Sequence, residues 1–213
     1  MHSRRFPEKN FSPFMEKNLI SHAVIKLLEV PEIETIFIST DVVKKVELTL
    51  LEHIPKDDPG WKRICILGRP LYLTADEIST DAVVSHTLAI TEHLQQEYPS
   101  GHGVEETNPF IVCTQVTTPN WTVPELKRAL NLFINKYKWD GNPDGIGSLV
   151  TVGPGYWPNG AFYITTVNLF VEAMNKLYHP RTFLFTIPAA HGVDIDYEWG
   201  LRISEALARG DYT

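Results

Sequence analysis

A chain of 213 residues with 43% hydrophobic and 21% charged residues has the composition of one globular domain that can bury its own core. Its formal net charge of -7 excludes a broad basic surface for nucleic acid. No apolar run reaches the roughly 18 residues that a membrane span needs, and the N-terminus MHSRRFPEKN lacks the apolar core of a signal peptide. We therefore expect a single domain over residues 1–213, with neither nucleic acid nor a membrane as partner.

Helical and strand patterns alternate along the chain. The periodicity predicts helices near residues 17–28, 42–53, 79–98, 123–137, 167–177 and 197–208, and strands at 35–39, 63–67, 109–114, 148–152, 161–165 and 182–188. Apolar strands that alternate with amphipathic helices predict an α/β fold of the Rossmann-like three-layer αβα type, with a mostly parallel sheet between two helix layers. Cys65 and Cys113 lie in apolar strand-like runs, which favours buried, reduced thiols and a cytoplasmic setting over a disulfide or a metal pair.

Two carboxylates, Asp194 and Asp196, follow the last predicted strand and are separated by one residue. Side chains at i and i+2 of an extended segment point to the same side. Both carboxylates can therefore face one hard cation at the carboxyl end of a strand, where open α/β folds bind ligands. The alternative is an acidic start to the following helix, because carboxylates interact favourably with the dipole at a helix N-terminus.

The second informative segment is basic and lies at residues 3–10 (SRRFPEKN). It brings Arg4, Arg5 and Lys9 close together along a segment that Pro7 stiffens. Three cations of this kind suit a triphosphate, whose charge must be neutralised before a phosphorus atom is attacked. The alternative is a solvated basic tail.

Several segments, in this order along nearly the whole chain, resemble the CMP-sugar synthetases, which are the acylneuraminate cytidylyltransferases and their relatives acting on other nonulosonic acids. The resemblance rests on residues 3–10 (SRRFPEKN), 37–41 (FISTD), 69–70 (RP), 77–85 (EISTDAVVS), 115–119 (QVTTP), 158–164 (PNGAFYI) and 193–196 (VDID). It implies the nucleotide-diphospho-sugar transferase type of fold.

The resemblance also implies a reaction, in which CTP and the anomeric hydroxyl of a small sugar acid are joined with release of pyrophosphate. Such a step is an in-line displacement at the α-phosphorus assisted by Mg²⁺. The resemblance places Asp194 and Asp196 as the metal ligands, and Arg4 and Lys9 as the cations that bind the phosphates.

The remaining site residues are implied in the same way. Four residues match positions that contact the nucleotide: Ser3, Asn10, Arg69 and Ser85. Three residues match positions that contact the acceptor sugar: Gln115, Asn159 and Tyr163. An arginine fork and an amide can read the carbonyl and ring nitrogen of cytosine, which would select CTP over UTP. Structural alternatives remain open, because Ser85 could simply be exposed on its helix, Tyr163 could belong to the core and Asn159 could serve a turn.

The chain also departs from the family pattern. The family's first strand, which would lie at the centre of the sheet, has no counterpart before Ser3, and a long dimerisation insert is reduced to a Gly-Pro-Gly turn between Val150 and Tyr156. Asn120 replaces a frequent arginine, and Gly200 replaces an acidic residue. We therefore expect an open sheet that self-associates or is poorly soluble, without the family's arm-exchanged dimer.

Two other functions remain open at this point. One is a catalytically degenerate nucleotide-binding relative that serves as an interaction or regulatory module. The other is a 2H-type phosphoesterase that uses His86 and His93, although these residues lack the H-x-[ST] repeats of such sites. The retained pair of aspartates favours the enzyme.

Overall fold

The computed structural model describes residues 6–75, 77–97, 109–136 and 145–210, with the backbone alone for residues 92–97. The strands of this part of the chain are β1 (Pro13–Phe14), β2 (Lys17–Asn18), β3 (Ile36–Thr40), β4 (Ile64–Gly68), β5 (Phe110–Cys113), β6 (Ser148–Val152), β7 (Pro158–Thr166) and β8 (Thr182–Thr186). Its α-helices are α1 (Leu19–Leu28), α2 (Val43–Leu51), α3 (Thr80–Glu97), α4 (Val123–Lys136), α5 (Val167–Glu172) and α6 (Glu198–Arg209). The alternation of helices and strands predicted from the sequence is confirmed.

The prediction of a mostly parallel sheet needs correction, because the described strands form small, mixed sheets. β3 and β4 are parallel, and a four-stranded sheet has the order β5-β7-β6-β8. Within it β6 and β8 are parallel, whereas β7 is antiparallel to both β5 and β6. The tiny β1–β2 hairpin stands apart.

The connection between β6 and β7 explains the antiparallel pairing. Parallel neighbours need a crossover of a dozen or more residues, whereas antiparallel neighbours can be joined by a tight turn. Here Gly153 and a short 3-10 turn, Pro154–Tyr156, span the gap, and Gly155 adopts a φ of 80° that favours glycine. The turn therefore brings the start of β7 back beside the end of β6.

One hydrophobic core joins the two larger sheets. It includes Ile36 of β3, Phe162 of β7, Ile20 of α1 and Leu126 of α4, all of which are buried. Trp121 lies at its centre with 1% of its surface exposed, and its ring meets that of Phe162 edge to face at 6.0 Å. Helices and strands from both halves of the chain thus pack as one body around the site described below.

We expect the 213-residue chain to self-associate or to be poorly soluble. β3 pairs with β4 along one edge, and no other described strand pairs with it along the opposite edge. Unpaired backbone groups along such an edge recruit other chains. Light scattering tests this expectation, and a stable monomer that unfolds cooperatively would contradict it.

Candidate active site

An open cavity of about 420 Å³ lies where β5 and β8 end and β7 begins. Its walls contain three of the predicted acceptor-binding residues and one predicted metal ligand. The lining residues are Gln115, Gly153, Pro154, Trp157, Pro158, Asn159, Gly160, Tyr163, Ala189, Gly192 and Asp194. The fold therefore brings together side chains that are up to 79 positions apart in the sequence, from Gln115 to Asp194.

The two aspartates flank a buried residue in the segment before α6. Ile195 between them is fully buried against Phe14 and Leu19, whereas Asp194 is exposed and Asp196 is half-buried. α6 begins at Glu198, directly after its N-cap residue Tyr197, whose side chain makes no capping hydrogen bond. Asp194 lines the cavity, and Asp196 forms an ion pair with Lys9.

Lys9 contacts the aspartate segment from the other end of the chain. Its Nζ donates to the carbonyl oxygen of Ile195 at 2.9 Å and to Oδ1 of Asp196 at 3.0 Å. The Lys9 side chain is only 18% exposed, so this residue does not belong to a solvated basic tail. One of the predicted phosphate-binding cations thus lies beside a predicted metal ligand.

The amides of Gln115 and Asn159 are fixed in the cavity wall. Asn159 Oδ1 accepts hydrogen bonds from Thr151 Oγ1 at 2.7 Å and from the backbone N–H of Ala161 at 3.2 Å. Gly160 adopts a φ of 75°, and a Cβ there would lie 2.7 Å from Gln115 Oε1. A Cβ on Gly192 would likewise overlap the Asn159 amide. Glycine at these two positions therefore lets the backbone pack directly against both amides.

Tyr163 belongs both to the core and to the cavity wall. It is 8% exposed, and its ring meets that of Tyr178 edge to face at 5.7 Å. Burial, with further contributions from Tyr178, Cys113 and Asp194, raises the pKa of the Tyr163 phenol well above its ordinary value. The Tyr163 phenol is hydrogen-bonded to Tyr178, and its ring forms part of the cavity wall.

Lys9 and Asp196 lie outside the cavity lining, and so do three predicted nucleotide contacts. Asn10 is part of a 3-10 turn, Lys9–Phe11, Arg69 follows β4, and Ser85 lies in α3. The backbone N–H of Arg69 donates to the carbonyl oxygen of Thr40 at 2.7 Å, which holds the ends of β3 and β4 together. The predicted roles of Ser3 and Arg4 fall outside the described residues.

Sequence reasoning missed Trp157, which lines the cavity although 78% of its surface is exposed. Pro154 and Pro158 lie beside it in the wall. A tryptophan inside a turn rich in glycine and proline was the available signal, because such a residue has no core to enter. The exposed ring offers an apolar surface on which a ligand can stack.

The histidine pair of the phosphoesterase hypothesis is not brought to this cavity as far as the described residues show. His86 lies in α3 and does not line the cavity. The side chain of His93 falls outside the described part of the structure.

The donor set fits a divalent cation of the magnesium type. Among the described residues, no cluster of three or more histidine, cysteine, aspartate or glutamate side chains could hold a metal ion by itself. Mg²⁺ is usually bound by one or two carboxylates together with substrate phosphates and water. Two adjacent carboxylates beside a lysine therefore suit a metal that arrives with a phosphorylated substrate.

Comparison with solved structures finds chains of similar fold at low sequence identity. The chain is similar to a cytidylyltransferase from Leptospira borgpetersenii, with a TM-score of 0.55 and 14% identity over 92% of this chain and 77% of that one. It is also similar to 4-diphosphocytidyl-2C-methyl-D-erythritol synthase from Anaerococcus prevotii, with a TM-score of 0.55 and 8% identity over 92% and 88%. The Rv0371c protein of Mycobacterium tuberculosis matches with a TM-score of 0.58 and 11% identity over 98% and 93%.

At the level of sequence, the model of the cytidylyltransferase family matches residues 1–51. This stretch contains Lys9, Asn10 and the whole of β3. A search of curated proteins found no match. No helix in the described part of the chain is long and apolar enough to cross a membrane.

Proposed function

We propose that this chain is a cytidylyltransferase that transfers CMP from CTP to a hydroxyl group of a sugar-like acceptor and releases pyrophosphate. The observation that carries the proposal is the position of the Asp194–Asp196 pair. It lies between Lys9 on one side and a cavity lined by two amides and a tyrosine on the other. The family match over residues 1–51 and the nucleotidyltransferase fold support it.

The end of the site that contains the aspartates and Lys9 would bind the triphosphate of CTP, and the cavity would bind the acceptor. Asp194 and Asp196 would hold Mg²⁺, which supplies positive charge to the triphosphate and orients the acceptor hydroxyl. Lys9, whose Nζ lies within 3.0 Å of Asp196, would neutralise phosphate oxygens as pyrophosphate leaves. Arg4 would be a second such cation, and Ser3 a nucleotide contact, by resemblance alone.

The nucleoside would be read on the β3–β4 side of the site. Asn10, Arg69 and Ser85 are the residues that we propose for cytosine and ribose, by their resemblance to the family's positions. Lys9 and Asn10 are adjacent, so one short turn would position a phosphate contact and a nucleoside contact together.

For the acceptor we propose a nonulosonic acid. Gln115, Asn159 and Tyr163 present amide and phenol groups that can hydrogen-bond sugar hydroxyls. The exposed ring of Trp157 can stack on the apolar C–H face of the same sugar. Gly153 and Pro154 of the Gly-Pro-Gly turn form part of this wall.

CTP with Mg²⁺ is expected to raise the melting temperature of the chain more than UTP, ATP or GTP with Mg²⁺. A ligand that binds the native state alone stabilises it by mass action, so the shifts rank the affinities. Differential scanning fluorimetry at one nucleotide concentration measures all four. Equal shifts with the four nucleotides would contradict the assignment to cytidine.

The degenerate relative is distinguished by a second measurement on the same samples. It would bind CTP with the same selectivity and release no pyrophosphate with any nonulosonic acid. The enzyme that we propose releases pyrophosphate with at least one such acid, and a coupled pyrophosphate assay reads this directly.

A further inference from the structure

The stretch between β5 and α4 helps to hold the segment that contains Asp194 and Asp196. The backbone N–H of Ile195 donates to the carbonyl oxygen of Thr117 at 2.8 Å. Asn120 Nδ2 donates to the carbonyl oxygens of Ala190 at 3.1 Å and Ser204 at 3.0 Å. Residues 117–125, between β5 and the first turn of α4, therefore form one support of the aspartate segment.

A further contact between these two stretches joins two side chains. His191 Nδ1 lies 2.7 Å from Glu125 Oε1. Because a carboxylate oxygen accepts and does not donate, Nδ1 of His191 carries the shared proton. His191 lies three positions before Asp194, in the 3-10 turn Ala189–Gly192, so the contact fixes the turn from which the aspartates extend.

Glu125 is fixed independently of His191. It is 6% exposed, and its Oε2 accepts from the backbone N–H of Thr122 at 2.8 Å and from Thr122 Oγ1 at 2.9 Å. These bonds form a capping box with Thr122 at the start of α4. The carboxylate also faces Lys26, which lies over the Trp121 ring at 4.1 Å. The core thus sets the position of Glu125, and Glu125 in turn sets the position of His191.

The same turn also touches the acceptor side of the cavity. Gly192 packs directly against the amide of Asn159, leaving no room for a Cβ. Movement of the turn would therefore disturb the metal ligands and the acceptor amide together.

We propose that the Glu125–His191 pair is a positioning pair, which holds the 189–196 segment so that Asp194 and Asp196 can bind the metal of a metal–CTP complex. The proposal rests on the function proposed above. Hydrogen-bonded side chains that orient metal ligands typically contribute on the order of 10-fold or more to metal affinity.

The test measures metal binding rather than activity, with Mn²⁺ as the probe. Mn²⁺ is titrated into the protein at saturating CTP and followed by electron paramagnetic resonance. His191 is the residue to vary because 33% of its side chain is exposed, whereas loss of Glu125 would also uncap α4. We expect His191→Leu to weaken Mn²⁺ binding by about 10-fold. His191→Asn, which keeps a donor for Glu125, should restore most of the affinity.

Two controls separate positioning from a general loss of structure. His53→Leu makes the same substitution in the turn after α2 and should bind Mn²⁺ like the wild type. CTP affinity in EDTA should be the same for His191→Leu and the wild type, and both should unfold cooperatively in EDTA, with a lower melting temperature for the variant because Glu125 loses a partner. Wild-type Mn²⁺ affinity in His191→Leu would overturn the positioning role and leave the proposed function intact. Absence of Mn²⁺ binding by the wild type with CTP would overturn both.

Discussion

Replacement of Asp196 by asparagine is expected to abolish pyrophosphate release from CTP and a nonulosonic acid, while the fold remains intact. The substitution removes one negative charge from a site in which two carboxylates would hold the metal. The fold should tolerate it, because the Asp196 side chain is 46% exposed and asparagine keeps an oxygen that can accept from Lys9. A coupled assay measures pyrophosphate release, and a thermal melt tests whether the fold remains intact.

Asp57→Asn is the matched control for this variant. Asp57 is exposed in the loop that follows α2, so the same change there should leave pyrophosphate release at the wild-type rate. If Asp196→Asn retained the wild-type rate, Asp196 would not be a metal ligand of the reaction.

The largest effect on stability is expected from Trp121→Ala. Trp121 is 1% exposed, packs on Phe162 and lies beneath the Lys26 ammonium group at 4.1 Å. Removal of a large buried aromatic side chain typically costs about 3–5 kcal/mol. A domain has only about 5–15 kcal/mol of stability, so this substitution should remove a large share of it. Urea unfolding followed by circular dichroism measures the loss.

Trp199→Ala makes the same substitution at a residue of which 63% is exposed. Substitutions at such surface positions usually change the free energy of unfolding by less than about 0.5 kcal/mol. Similar losses in the two variants would contradict the assignment of Trp121 to the core.

Hydrophobic periodicity was enough to predict the long elements, because their apolar faces repeat at the period of a helix or strand. α4 was predicted at 123–137 and extends over Val123–Lys136, and β6 was predicted with its observed bounds. α5 was predicted to reach residue 177, but it ends at Glu172. Met174 and Asn175 adopt φ values of 55° and 57°, and periodicity does not detect this left-handed turn because both residues are tolerated in helices.

The direction of β7 could not be read from its own residues, because an apolar strand looks alike in a parallel and an antiparallel sheet. The signal was the short connection before it, from Gly153 to Tyr156, which allows a hairpin but no crossover helix. The length of this connection is visible in the sequence.

The candidate site, like the fold, could be predicted only in part from the sequence. Asp194, Gln115, Asn159 and Tyr163 were named from motifs, and the structure gathers them around one cavity. The contact of His191 with Glu125 joins residues 66 positions apart and belongs to no motif, so only the packing of the 189–192 turn against α4 shows it. Trp157 likewise becomes part of the site only because the turn before β7 forms a wall of the cavity.

The central claim, transfer of CMP, is tested most directly by following the α-phosphate of CTP. The chain is incubated with Mg²⁺, CTP labelled with ³²P at the α-position and each of a set of nonulosonic acids, and the products are separated by anion exchange. We expect the label to move into a CMP–sugar conjugate, with one pyrophosphate released for each conjugate formed, and no transfer from labelled UTP. Retention of all label in CTP with every acid, by a protein that is folded and supplied with Mg²⁺, would contradict the account.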